Sequence, residues 1–214
     1  MSAAGSKSVV VIGAGGHAKV VISTLQAAGY LVTDVFDDNA DRWGTSVLGV
    51  PVSGGLSHLT RAGQRKAVIA IGDNRVREKL AGEIDMDWIT VAHPNTYIHP
   101  SVKIGEGSVV FAGAVIQPDT VVGAHSIINT AATVDHDCVI DDFVHLAPGV
   151  RLAGAVRVAR GAFLGVGTVV IPSRRVGEWA IVGAGGVVVK DIPDGVTAVG
   201  VPASALKKNS KEKI

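Results

Sequence analysis

An aliphatic residue recurs at every sixth position through the second half of this chain of 214 residues. The series runs without a break from Ile98 to Val188 and contains sixteen positions. Side chains repeat every 3.6 residues along an α-helix and every 2 residues along a strand, so period six matches neither. A short strand followed by a corner does repeat in this way, and such units bury their apolar faces by stacking on one another. The pattern therefore predicts a β-solenoid whose stacked strands lie about 4.8 Å apart.

A small or β-branched residue lies four positions after most of these aliphatic residues, and Arg174 is the clear exception. Cys138 occupies one of these inward positions, so we expect it to pack in the core rather than to act as a nucleophile. As the single cysteine of the chain it excludes an intramolecular disulfide and favours the cytoplasm.

The first part of the chain has a different pattern, in which buried strands alternate with helices. Helices are predicted up to Gly29 and over Val76–Ala81, and strands over Val9–Ile12, Leu31–Phe36, Ala67–Ile71 and Trp88–Ala92. This alternation is typical of a small, Rossmann-like parallel β/α/β unit. We expect an α/β domain over residues 1–95, an all-β domain over 96–206 and a charged, disordered tail over 207–214.

A glycine-rich turn, Gly13–Ala18, joins the first predicted strand to the first helix. Backbone N–H groups at such a turn bind anions, and acidic residues at the end of the next strand, here Asp37 and Asp38, commonly contact a ribose or a base. The turn alone is a weak signal. It fits a nucleotide sugar, NAD, or tight packing without a ligand, although no domain for hydride transfer follows it.

Overall composition excludes several classes of function. A net charge of +1 and 4% aromatic residues offer no basic or stacking surface for nucleic acid. No apolar run is long enough for membrane insertion, and no spacing of cysteine and histidine indicates a metal site. For His58, His93, His99 and His125 we expect solvated side chains or local hydrogen bonds.

His136 differs from the other histidines because it lies between Asp135 and Asp137. A carboxylate bonded to one imidazole nitrogen fixes the tautomer and raises the basicity of the other nitrogen. The sequence therefore predicts that His136 is a general base for an attacking amine or hydroxyl.

Taken together, the two parts resemble bacterial sialic-acid-type and nucleotide-amino-sugar acetyltransferases, above all the N-acetyltransferases of the bacillosamine and perosamine pathways. The resemblance covers about residues 8 to 207 and rests on Gly13–Ala18, Asp37–Asp38, Ala70–Asn74, Ile127–Thr130, Asp135–Asp137, Val144–His145 and Gly200–Ala203. It implies a left-handed parallel β-helix of hexapeptide repeats, with three hexads and eighteen residues in each coil, that assembles as a homotrimer with active sites between subunits.

With eighteen residues in a coil, Gly154 lies directly one coil from His136, whereas His145 lies halfway between them. His145 would then approach His136 only across a contact between subunits. Asp137 would raise the basicity of His136, at a position where the bacillosamine enzymes have glutamate.

The resemblance also implies which residues bind the two substrates. Phosphates of the nucleotide sugar would meet Gly15, Gly16 and His17, its nucleoside would meet Asp37, Asp38 and Gly72, and its sugar would meet Asn129. Acetyl-CoA would lie against a groove formed by His145, Gly154, Val166 and Ala184.

The resemblance predicts an acetyl-CoA-dependent N-acetyltransferase of surface-glycan biosynthesis, acting on the amino group, at C4, of a UDP- or GDP-linked sugar. The amine would attack the thioester directly, with His136 as the base and the Gly154 N–H stabilising the oxyanion. Two alternatives stay open, namely a sugar O-acetyltransferase of the sialic acid type and a nucleotide-binding scaffold without catalysis.

Overall fold

The computed structural model describes residues 7–62 and 65–206, so the predicted tail at 207–214 lies outside the described residues. The N-terminal domain is a six-stranded sheet in the order β3-β4-β2-β1-β5-β6, parallel except for the β3–β4 hairpin. Its elements are β1 (Ser8–Ile12), α1 (Gly16–Ala27), β2 (Leu31–Phe36), β3 (Ser46–Val47), β4 (Val50–Gly54), β5 (Lys66–Ile69), α2 (Asn74–Glu83) and β6 (Asp87–Trp88), with 3₁₀ turns at Ala40–Arg42 and Leu56–Ala62.

Strand β1 lies in the middle of this sheet and is covered on both faces, which explains its continuous apolar sequence. Val9 and Val11 belong to a core that α1 shares with the solenoid, whereas Val10 and Ile12 pack with residues of α2. Helix α1 is thereby held between the sheet and the solenoid.

The C-terminal domain is built of two- and three-residue strands. They are β7 (Val91–Ala92), β8 (Tyr97–Ile98), β9 (Lys103–Ile104), β10 (Val109–Val110), β11 (Val115–Ile116), β12 (Val121–Val122), β13 (Ile127–Ile128), β14 (Thr133–Val134), β15 (Val139–Ile140), β16 (His145–Leu146), β17 (Arg151–Leu152), β18 (Arg157–Val158), β19 (Phe163–Leu164), β20 (Val169–Val170), β21 (Arg175–Val176), β22 (Ile181–Val182), β23 (Val187–Val188), β24 (Thr197–Val199) and β25 (Ser204–Ala205).

Through β23, every third strand stacks in parallel, so these strands form three flat faces of a prism. Strand β24 then pairs in parallel with β22, and β25 pairs antiparallel with β24. Face A contains β7, β10, β13, β16, β19, β22, β24 and β25; face B contains β8, β11, β14, β17, β20 and β23; and face C contains β9, β12, β15, β18 and β21. Ile127 pairs with His145, and His145 pairs with Phe163, which is a step of eighteen residues. The predicted left-handed β-helix with eighteen residues in each coil is therefore confirmed.

The prism has an AB, a BC and a CA corner, named by the faces that each corner joins. A residue with positive φ recurs at these corners, for example Asp137 with φ 58° and Ala131 with φ 55°. Inward-facing hydroxyls satisfy buried carbonyl groups fifteen residues later, as Ser126 Oγ does with Asp141 O at 2.9 Å. Cys138 makes the equivalent contact with Ala153 O at 3.3 Å and is fully buried, as predicted.

One predicted strand, Trp88–Ala92, is wrong as a single element. Asp87–Trp88 ends the N-terminal sheet beside β5, whereas Val91–Ala92 pairs with Val109–Val110 and begins face A. The solenoid therefore starts one hexad before Ile98. Within the described ranges, no helix combines the length and the apolar character that crossing a membrane requires.

Candidate active site

The glycine turn after β1 is shaped by close contact with the end of β5. Gly13 has φ +103°, and a Cβ there would lie 2.8 Å from Ile71 Cγ1 and 3.1 Å from Ala70 O. Gly15 is the N-cap of α1 and, as a glycine, provides no side-chain cap for the N–H groups of the first helical turn, which includes Gly16 and His17. Side chains added at Gly15 or Gly16 would meet nothing within 4 Å. Open N–H groups at a helix N-terminus suit a phosphate.

Asp37, at the end of β2, holds this turn in place. Its Oδ2 accepts a hydrogen bond from Ala14 N at 2.6 Å, and its Oδ1 accepts one from Asn39 N at 2.9 Å. Arg42 Nη1 donates to Ala14 O at 2.9 Å from the other side. Both carboxylate oxygens of Asp37 are therefore engaged by the backbone of the turn and of its own loop.

A cavity of about 320 Å³ opens beside the turn, at the carboxyl ends of β1, β2 and β5. Its wall combines Gly13 and Ile71 with the acids Asp37 and Asp38 and with Lys79 of α2. Asp38 Oδ1 accepts a hydrogen bond from Leu56 N at 2.8 Å. Ligands of open α/β sheets bind at this edge, and the cavity has both carboxylate acceptors and a cation.

His145, on face A, joins the two domains. Its Nδ1 lies 3.2 Å from Gly72 O in the β5–α2 loop, and its Nε2 lies 3.1 Å from Asn129 Nδ2 at the AB corner. Because a carbonyl only accepts and an amide nitrogen only donates, His145 is neutral with its proton on Nδ1. Burial, and after it the charge of Arg77, lowers the pKa of His145 to about 4.

His17 packs beside this pair. Its ring meets Phe111 edge-on at 5.4 Å between centroids and lies 6.0 Å from the ring of His145. Burial and the positive charge of Arg77 lower the pKa of His17 to about 4. Its Nε2 is buried and has no hydrogen-bond partner in the described part of the chain.

His136 and Asp137 form an exposed pair at the BC corner. His136 Nδ1 lies 2.7 Å from Asp137 Oδ2, so the shorter carboxylate makes the contact that the sequence predicts. This hydrogen bond is the largest cause that raises the pKa of His136 above its ordinary value. The ring lies on Gly154 of the next coil, where a Cβ would be 2.6 Å from His136 Nε2. Because Asp137 engages Nδ1, Nε2 is the ring nitrogen that can accept a proton.

The residues predicted to bind acetyl-CoA occupy different parts of the prism. Val166 and Ala184 stack at the AB corner, where Gly185 N donates to Val166 O at 2.8 Å, and the Val166 side chain is 56% exposed. Gly154 lies at the BC corner, and His145 lies on face A under the N-terminal domain. Within one chain, the structure brings together Gly72, Asn129 and His145, and separately His136 and Gly154.

Sequence reasoning missed Arg77, which is 1% exposed and joins α2 to the solenoid. Nothing in the sequence separates it from the exposed Arg75 of the same helix. The expectation for His125 is wrong, because this residue is 4% exposed and stacks on Phe143 at 5.3 Å between centroids. Burial, and after it the charge of Arg77, lowers the pKa of His125 to about 4.

Known proteins share both domains of this chain. Residues 8–84 match the family described as the PglD N-terminal domain. GDP-perosamine N-acetyltransferase from Escherichia coli O157:H7 is 33% identical over 153 residues, which cover 66% of this chain and 67% of that protein. Three other curated relatives match over a shorter part, and the chain spans between 21% and 34% of their length.

Two solved structures match almost the whole chain. PerB from Caulobacter crescentus, in complex with CoA and GDP-perosamine, is 47% identical with a TM-score of 0.89, covering 96% of this chain and 99% of that one. The acetyltransferase domain of PglB from Neisseria gonorrhoeae FA1090, in complex with acetyl coenzyme A, is 40% identical with a TM-score of 0.87, covering 94% and 100%. This similarity confirms the resemblance inferred from the sequence, and the chain belongs to the family of bacterial nucleotide-amino-sugar N-acetyltransferases with a left-handed β-helix.

Proposed function

We propose that this protein transfers the acetyl group of acetyl-CoA to the amino group of a nucleotide-linked amino sugar. The observation that carries the proposal is the His136–Asp137 pair, in which the Nδ1 contact of 2.7 Å leaves Nε2 exposed as a base. The similarity to a perosamine N-acetyltransferase solved with CoA and GDP-perosamine supports the choice of both substrates.

The reaction is a direct attack of the sugar amine on the thioester carbonyl carbon. As the C–N bond forms, the nitrogen loses a proton to His136 Nε2, and the Gly154 N–H stabilises the developing oxyanion. Collapse of the tetrahedral intermediate breaks the C–S bond, and the departing thiolate of CoA takes the proton from His136. Asp137 stabilises the imidazolium that forms in between.

The N-terminal domain binds the nucleotide part of the acceptor. Gly15, Gly16 and His17 hold the phosphates at the open N-terminus of α1. Asp37 and Asp38 contact the nucleoside in the cavity that they line, and Asn129 contacts the sugar. Gly72, which was expected beside the nucleoside, does not line that cavity; its carbonyl group binds His145 and so borders the sugar instead.

Of the two nucleotide classes, we favour the guanine nucleotide. Asp37 and Asp38 line the cavity, and Asp37 already accepts two backbone N–H groups whereas Asp38 accepts that of Leu56. A carboxylate has about four acceptor sites, so Asp38 can still accept two N–H donors of a ligand. Guanine presents two adjacent N–H donors that a carboxylate accepts side by side, whereas the single N–H of uracil lies between two carbonyl oxygens that a carboxylate repels. GDP should therefore give the larger thermal shift, because a bound ligand stabilises the native state by mass action. A larger shift with UDP would reverse the choice.

The complete site needs more than one copy of the chain. In one chain, His136 and Gly154 lie at the BC corner, whereas Asn129, Val166 and Ala184 lie at the AB corner. A homotrimer that sets the BC corner of one subunit against face A and the AB corner of its partner would join them, with acetyl-CoA in the groove between. Exposed apolar side chains at the AB corner and on or beside face B provide a contact surface, namely Val166, Val169 and Ile171.

The proposed use of acetyl-CoA and a nucleotide sugar, together with the free thiol of Cys138, supports a reaction in the cytoplasm. The test is to incubate the protein with acetyl-CoA and GDP- or UDP-linked 4-amino sugars and to follow free CoA and product mass. We expect one acetyl group on the sugar, in an amide that resists hydroxylamine. A hydroxylamine-labile product would indicate O-acetylation, and no release of CoA with any sugar would favour the non-catalytic alternative.

A further inference from the structure

Arg77 of α2 carries a positive charge into the contact between the two domains. Its side chain is 1% exposed, and although burial lowers its pKa to about 10, the guanidinium stays protonated at neutral pH. Arg77 Nε donates to His125 O at 2.7 Å, and Nη2 donates to Phe143 O at 2.9 Å. These two carbonyl groups belong to successive coils of the CA corner. The guanidinium therefore holds α2 against the solenoid at two stacked positions.

Asn74, one helical turn before Arg77, extends this contact to a third coil. Its Nδ2 donates to Gly161 O at 3.0 Å and to Ala162 O at 3.1 Å, and its Oδ1 accepts from Arg77 Nη2 at 2.8 Å. Asn74 is itself buried. The two side chains form one rigid unit, which we call the Asn74–Arg77 clamp.

The clamp also binds the loop between β5 and α2. Arg77 Nη1 donates to Ile71 O at 3.0 Å and approaches Gly72 O at 3.4 Å. The Gly72 carbonyl is the same group that accepts the Nδ1 proton of His145 at 3.2 Å. A displacement of this loop would therefore weaken one of the two contacts that fix the His145 tautomer, the other being Asn129 Nδ2 at Nε2.

His145 in turn fixes the amide of Asn129. One Nδ2–H of Asn129 points to His145 Nε2 at 3.1 Å, and Asn129 Oδ1 accepts from Thr130 N at 2.8 Å. With both ends of the amide occupied, a single N–H of Asn129 is left for a ligand. Its direction is set by Thr130 at the amide oxygen and by His145 at the amide nitrogen, and through His145 it depends on the loop that the clamp holds.

We propose that Arg77 is a positioning residue for the acceptor sugar, holding the Gly72 loop so that His145 keeps its Nδ1–H tautomer and orients the Asn129 amide. This inference rests on the proposed function for the identity of the sugar. It assigns Arg77 a role in acceptor binding, in addition to its part in docking the two domains.

Arg160 provides a control that separates positioning from docking. Arg160 Nη2 binds Glu78 of α2 at 2.7 Å, and Nη1 binds Asp142 at 3.0 Å. It therefore also ties α2 to the solenoid, but it contacts neither the Gly72 loop nor His145. An Arg160→Met variant loses a docking contact and leaves the Arg77–Gly72–His145 chain intact.

The experiment compares Arg77→Met, Arg77→Lys and Arg160→Met in the full-length protein. Long-range ¹H–¹⁵N spectra report the tautomer of His145, and kinetics report KM for the nucleotide sugar and for acetyl-CoA separately. We expect Arg77→Met to lose the Nδ1–H tautomer and to lower kcat/KM for the nucleotide sugar on the order of 10²-fold, since a displacement of about 1 Å has that effect. KM for acetyl-CoA should change less than KM for the nucleotide sugar, because only His145 of the four predicted groove residues contacts the Gly72 loop in the described part of the chain.

Arg77→Lys retains the positive charge and some of the N–H donors of Arg77. We therefore expect an intermediate effect on the His145 tautomer and on kcat/KM for the nucleotide sugar. Arg160→Met should leave the His145 spectrum and both KM values unchanged. The proposal is overturned if His145 keeps its tautomer in Arg77→Met. Should the methionine variant fail to fold, the same result in Arg77→Lys overturns it. It is also overturned if Arg160→Met changes the His145 spectrum and the KM values as much as Arg77→Met does. If wild-type protein transfers no acetyl group, the proposed function fails, while the His145 spectrum and GDP binding still test the positioning of the loop.

Discussion

The contact between Gly154 and His136 gives a quantitative prediction for a substitution that leaves the base itself in place. In Gly154→Ala, the new Cβ would lie 2.6 Å from both Cε1 and Nε2 of His136, whereas ordinary van der Waals contact begins at 3.4 Å. The ring must therefore move, and ordinary contact is restored by a shift of about 0.8 Å, the difference between these distances. His136 is exposed, so it can move without disturbing the core.

A displacement of this size is expected to lower kcat on the order of 10²-fold, because proton transfer depends on the geometry of the attacking group. Stability should not fall. Gly154 has no positive φ, and replacing glycine by alanine at a compatible position stabilises a protein by about 0.4–1 kcal/mol through the unfolded state. The assay is release of CoA, read with a thiol reagent, together with thermal unfolding.

Gly82→Ala is the matched control for this substitution. A Cβ at Gly82, in α2, would meet nothing within 4 Å, so kcat should be unchanged and the melting temperature equal or higher. Wild-type kcat in a folded Gly154→Ala variant would refute the assignment of His136 as the base. A fall in both kcat and melting temperature would point instead to a disrupted coil.

Three further predictions concern the pair at the BC corner, the core cysteine and the nucleoside cavity. Asp137→Asn removes the carboxylate charge from the hydrogen bond that most raises the pKa of His136. Since the base works unprotonated, the low-pH limb of kcat/KM should shift to lower pH, and an unmoved limb would contradict the role of Asp137. Cys138→Ala should leave kcat unchanged. Burial raises the pKa of the Cys138 thiol to about 11, so the native protein should not react with a thiol reagent. Rapid labelling of Cys138 would show that it does not lie in the core. Asp38→Asn should reduce the thermal shift with GDP more than that with UDP, and an equal reduction would remove Asp38 from base recognition.

The repeat made most of the fold predictable from the sequence. A hexad places one aliphatic residue and one small residue inward at fixed spacing, so Ile128, Leu146 and Leu164 could be assigned to stacked core positions before any coordinates were considered. The strand division at residues 88–92 was not predictable in this way. Trp88 pairs in the N-terminal sheet, whereas Val91 pairs in the solenoid, and both belong to one apolar run.

The candidate site was predictable where its chemistry is local or follows the eighteen-residue coil, as the contact of Gly154 with His136 does. Asp137 is adjacent to His136, so their hydrogen bond follows from neighbouring positions in the chain. Arg77 contacts carbonyl groups 48 and 66 residues away, and His145 contacts Gly72 across 73 residues. Carbonyl acceptors have no sequence signature, since every residue has one. Contacts of this kind depend on how the two domains dock.

The most direct test of a site shared between subunits is complementation between two inactive variants. His136→Asn removes the base, which should lower kcat about 10²–10⁴-fold, and Asn129→Ala removes the proposed sugar contact at the AB corner. When the two variants are unfolded, mixed in equal amounts and refolded together, about a quarter of the subunit contacts in a cyclic trimer join an intact His136 to an intact Asn129. The account predicts that activity returns to about that fraction of wild type, and activity no higher than that of the separate variants would contradict a site built between subunits.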